Sequence, residues 1–66
     1  MWVELTVVDH EGNLTQVPVN MATIVTFAKL NDPAYQKASA ILYPSGGQFI
    51  SMPVTATFEE LKELIL

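Results

Sequence analysis

The sequence predicts a mainly β member of the α+β class: a small antiparallel sheet of about five strands, two hairpins plus a middle strand, with one C-terminal helix in the order β-β-β-β-β-α. Three observations predict it. The opening residues alternate apolar and polar side chains, two clusters of turn-forming residues punctuate the chain, and a helix-capping pattern precedes its last apolar stripe.

Residues 2–8 place Val3, Leu5 and Val7 on one side and Trp2, Glu4, Thr6 and Val8 on the other, the period of a half-buried strand. Asp9, His10, Glu11, Gly12 and Asn13 form a turn, and residues 14–19 return as a second strand, closing a hairpin. Pro18 lacks the amide a central strand needs, so this strand is expected at an edge. Residues 23–29, with β-branched Thr23, Ile24, Val25 and Thr26 beside Phe27, favour a third strand, against a rival helix over 21–30. A polar loop then runs to Lys37, with Asp32-Pro33 as turn initiator and room for one helical turn over 34–38. Residues 39–43 and 48–54 flank Pro44-Ser45-Gly46-Gly47 as a second hairpin, its glycines suited to positive φ.

Thr57-Phe58-Glu59-Glu60 fits the capping box, so a helix is expected to start at Phe58. Phe58, Leu61, Leu64 and Ile65 share one face, and Glu59, Glu60, Lys62 and Glu63 the other. A helix this short does not persist alone in water and must dock on the sheet or on another subunit.

Several of these features resemble the small flagellar and swarming accessory proteins of the FlbD type: the strand at 2–8, Val19-Asn20 followed by Ile24, the glycine-turn hairpin over 39–54, and the terminal Phe58-Glu59-Glu60-Leu61 helix. The resemblance implies a small β-rich domain that works by association and has no catalytic activity. Residues 30–38 read as an insertion relative to that pattern, and residues 52–56 stand where such proteins usually carry a charged segment. A small phage protein is compatible with the same pattern.

Composition narrows the function. Sixty-six residues make a single domain, 1–66, that is 50% hydrophobic and 15% charged, against about 25% charged in an average domain. A chain of about 60 residues buries only about 60% of its unfolded surface, so apolar side chains are left over, and another copy of the chain is their expected cover. Without cysteine, neither a disulfide nor a closed zinc site supports the core, and no cofactor is expected. Net charge is -4, the wrong sign for nucleic acid, and no apolar run reaches the length of a membrane span. With no basic segment at the start, a cytoplasmic location is expected.

His10 is the one histidine, and no nucleophile is placed beside a base, so an enzyme is not expected. Asp9, His10, Glu11 and Asn13 read as a turn in preference to a metal loop. The candidate ligand site combines the small, amide-rich Ser45, Gly46, Gly47 and Gln48 with the ammonium groups of Lys29 and Lys37 and the rings of Tyr35 and Tyr43. Trp2, Val8, Ile41 and Tyr43 are the candidate interface residues, left without cover on the face opposite Val3, Leu5 and Val7. The reading is a non-enzymatic binding module acting as a homodimer or higher cyclic oligomer through apolar sheet surfaces. The alternatives are a phage-type sponge that sequesters a signalling nucleotide between subunits, as an anti-defence device, and an adaptor for a motility or virion protein.

Overall fold

A computed structural model describes residues 1–45 and 51–65. It contains strands β1 (Trp2–Val8), β2 (Leu14–Asn20), β3 (Ile24–Lys29), β4 (Ala40–Pro44) and β5 (Met52–Val54), followed by helix α1 (Phe58–Ile65). The five strands form one antiparallel sheet in the order β2-β1-β5-β4-β3. The expected class and element order are therefore present. The rival helix over 21–30 is not: only Met21–Thr23 turns, as a 3-10 segment capped by Asn20, whose Oδ1 accepts from the Ala22 amide at 3.1 Å. The β-branched run after it is strand.

β1 and β2 pair along their whole length, from Trp2 with Asn20 to Val8 with Leu14. The turn between them is organised by Asp9. Its Oδ1 accepts from the Glu11 and Asn13 amides at 2.9 and 2.8 Å, and its backbone carbonyl accepts from Gly12 at 3.0 Å. Gly12 has φ of 84°, in the left-handed region that a side chain would make costly. Pro18 sits on the edge strand as expected. The Met21 amide donates to the Met1 carbonyl, which makes the Val3–Val19 and Leu5–Val17 pairs the hydrogen-bonded ones. Pro18, opposite Glu4, then faces its missing donor outward.

β5 is the short central strand, and Val54 carries the junction: it lies opposite Val7 of β1 on one side and Ala40 of β4 on the other. Among the described residues Val7–Val54 is the one register pair between β1 and β5, and Pro53 accounts for it. The Thr55 amide donates to the Thr6 carbonyl at 3.0 Å, so the amide position two residues earlier, at Pro53, faces β1 as well, and proline has no hydrogen there.

Register sets the faces. Val3, Leu5, Val7, Val54, Ala40, Leu42 and Phe27 share one face, and there Leu5, Val19, Met21, Ala40, Leu42, Val54 and Leu61 form the buried core. α1 covers this face. The Glu60 amide donates to Thr57 Oγ1 and the Thr57 amide to Glu60 Oε1, both at 3.1 Å, so the expected capping box starts the helix. Leu61 is fully buried, Leu64 and Ile65 pack against the core, and Phe58 meets Phe27 with ring centroids 5.1 Å apart.

On the opposite, outer face lie Trp2, Glu4, Thr6, Val8, Pro53, Ile41, Tyr43 and Ala28. The segment from Leu30 to Ser39 contains a 3-10 turn, Pro33–Tyr35, capped by Asp32 Oδ1 accepting from Ala34 at 2.9 Å. Its two ends are held together where the Leu30 amide donates to the Ser39 carbonyl at 3.2 Å. Between them it runs back to the β1–β2 turn, where Lys37 Nζ donates to the Gly12 carbonyl at 3.1 Å. It is a strap tied down at its far end. The candidate interface assignment of Val8 is corrected here: Val8 is 1% exposed within the single chain, at the end of β1 beside the turn that the strap reaches.

Replacing Leu61 with alanine removes the side chain that joins helix to sheet, and is expected to cost about 3 kcal/mol. Chemical denaturation monitored by circular dichroism measures it, and an unchanged midpoint would contradict the docking described.

Candidate functional site

The residues expected to form a ligand site are distributed over separate parts of the fold. Lys29 ends β3 on the helix face, 3.7 Å from Glu59 and 5.8 Å from the Phe58 ring centroid. Lys37 is on the strap, committed to the Gly12 carbonyl. Tyr35 is half-buried in the strap's 3-10 turn. Tyr43 and Ser45 stand at the other end of β4, Tyr43 opposite Thr26 and Ser45 donating its amide to the Thr23 carbonyl at 2.7 Å. Gly46, Gly47 and Gln48 lie outside the described residues. Within one chain, then, the strap and the end of β3 carry Lys29, Tyr35 and Lys37, while Tyr43 and Ser45 stand at the opposite end of β4.

Two depressions adjoin the strap. One, of about 300 Å³, is lined by Leu30, Asp32, Pro33, Tyr35, Gln36 and Ala38. The other, of about 180 Å³, runs between the β1–β2 turn and the strap, from His10 and Gly12 to Pro33 and Lys37. Both are open to solvent and contain none of the perturbed, buried titratable groups that mark acid/base sites.

The polar side chains that sequence reading singled out serve the backbone. Asp9 is held below the ordinary carboxylate value of 3.8, first by the Asn13 amide, with smaller help from the Asn13 side chain, the Glu11 amide and His10. Glu60 is held below its ordinary 4.5 by the Thr57 amide, then the Thr57 hydroxyl. His10 and Glu11 form an exposed pair at 3.8 Å. Among the described residues no group of three or more His, Cys, Asp or Glu side chains is placed to hold a metal ion. No described helix is long and apolar enough to cross a membrane.

The candidate interface residues also divide. Trp2 is 68% exposed at the start of β1, Tyr43 is 42% exposed on β4, and Ile41 is half-buried opposite Pro53. β1 and β4 both run antiparallel to β5, with Val7 and Ala40 level on either side of Val54. Trp2 therefore lies about 26 Å from the level of Tyr43, at about 3.3 Å per residue along the strands. Sequence reading did not single out Val25, which is 71% exposed where β3 bulges between Ile24 and Thr26. Its β-branched neighbours gave no sign of the bulge that turns it outward. Comparison of the chain with family models, curated proteins and solved structures gives no match.

Both depressed carboxylates carry the same sign for stability. A group whose folded pKa lies below its unfolded value stabilises the fold above the unfolded value, and that contribution is lost as pH falls toward the folded one. Stability is expected to fall as pH drops below about the ordinary values of 4.5 for Glu60 and 3.8 for Asp9. Carboxyl NMR titration beside denaturation at each pH checks this, and Asp9→Asn should flatten the lower part of the curve.

Proposed function

We propose that the chain is a non-enzymatic binding module that acts as a homo-oligomer, its copies meeting through apolar parts of the sheet. The observation that carries this reading is the exposure of large apolar side chains on well-formed strands: Trp2, Val25 and Tyr43 are 68%, 71% and 42% exposed. Each belongs to an element whose backbone is held by register pairs, so the exposure is a property of the folded sheet and not of a loose end. Exposed aromatics on a rigid surface suit association, because a ring offers a large contact area at little cost in side-chain entropy.

The surroundings favour recognition over catalysis. All the buried side chains among the described residues are apolar or proline, and the charged groups are exposed. A general acid or base needs a sheltered group with a perturbed pKa. Here the shifted carboxylates are those that close a turn and cap a helix.

Light scattering over a micromolar-to-millimolar series is expected to find a species larger than the 7.3 kDa chain, with Trp2 fluorescence or Tyr43 accessibility to a quencher changing as it forms. A folded 7.3 kDa monomer throughout the series would contradict the reading.

A further inference from the structure

Of the two sheet edges, one is blocked. On β2 the outward-facing position at Pro18 offers no donor, so a strand adding there meets a gap in mid-ladder. β3, the opposite edge, has no proline. The Leu30 amide donates to Ser39, which makes Ala28–Ile41 and Thr26–Tyr43 the hydrogen-bonded pairs of the β3–β4 ladder. The amides and carbonyls of Phe27 and Lys29 therefore point away from β4, and no described strand lies beyond them.

We propose that β3 is the self-association edge: a second copy adds its own β3 antiparallel to it, about a two-fold axis through Ala28, to give one continuous sheet. This inference rests on the homo-oligomer reading and names one contact for it, separate from the Trp2 and Tyr43 surfaces. The axis places Phe27 opposite the partner's Lys29 and Lys29 opposite the partner's Phe27, so all four outward backbone groups of each strand find a partner. Ala28 meets its own symmetry mate across the non-hydrogen-bonded position, where strands come closest and a methyl fits.

The side chains are complementary under the same operation. On the helix face, Phe27 already packs against Phe58 with tilted rings, and Lys29 lies 5.8 Å from the Phe58 ring centroid and 3.7 Å from Glu59. Across the axis each lysine becomes the cross-strand neighbour of the partner's aromatic pair, with Glu59 near at hand as counter-charge. An edge that carries both a cation and its acceptor matches a copy of itself. Val25, 71% exposed at the bulge of the same strand, adds apolar surface to this edge. The edge lysine stands 3.7 Å from Glu59, so the edge carries both signs of charge and not an isolated cation.

Lys29→Pro removes an outward donor while leaving the β3–β4 bonds, whereas Lys29→Ala removes the charge and keeps the donor. Ala28→Glu sets two carboxylates against each other at the axis. Sedimentation equilibrium on the full chain, with folding verified by circular dichroism, is expected to show association weakened about tenfold or more by Lys29→Pro and by Ala28→Glu, and less by Lys29→Ala. If Lys29→Pro does not fold, Ala28→Glu decides. Folded variants that associate as tightly as the parent would overturn the edge contact. If Trp2→Ala disperses the oligomer and Ala28→Glu does not, the edge falls while the homo-oligomer reading stands. A monomeric parent overturns both.

Discussion

Everything in this fold passes through Val54. The sheet consists of two antiparallel pairs, β1 with β2 and β3 with β4, and among the described residues the three of β5 join them. Val54 faces Val7 on one side and Ala40 on the other, and it is fully buried beneath the helix that also buries Leu61. Pro53 withholds the next hydrogen bond toward β1, so the junction depends less on backbone ladder than on apolar packing. A helix that would not persist alone and a sheet with a weak central seam stabilise each other. That coupling explains why the capping box matters in so short a helix: the start of α1 has to be placed where Phe58 can reach Phe27 and Leu61 can cover the seam.

The outer face follows a different principle. No described α-helix lies there, and the segment from Leu30 to Ser39 is tied by one lysine ammonium to a backbone carbonyl of the β1–β2 turn. Cover is therefore local. Val8 is hidden, while Trp2 and Tyr43 at the two ends of the same face stay exposed. The apolar excess in the composition is thus divided among separate positions, and each has its own geometry: an aromatic on an open face, an aromatic beside the strap's neighbouring strand, and a valine thrown outward by a bulge.

Much of this was legible from local pattern. Alternation located β1, the capping box located the start of α1, and Pro18 indicated an edge, because each reports the backbone of its own segment. Strand order was not legible, since a period of two assigns side chains to faces and says nothing about which strands are neighbours. Nothing in Met52-Pro53-Val54 announces a central strand, and proline there argues for an edge. The expected start of that strand, at 48–50, lies outside the described residues. Val8 was assigned to the correct face, but its 1% exposure depends on tertiary packing that alternation along one strand does not encode. The candidate ligand residues suffered most from the same gap: Lys29, Lys37 and Tyr43 were joined by chemistry, while the fold gives each a separate place and the two lysines existing partners.

The central position of β5 has a consequence for synthesis. Strands that pair with sequence neighbours can form as they leave the ribosome, and β1 with β2 is such a pair. The strand that unites the two halves of the sheet is translated after both of them, and the helix that secures it comes later still. Until Val54 is in place, the two antiparallel pairs present apolar faces and unpaired edges, so the vulnerability of this fold to misassembly lasts until its fifth strand is laid down.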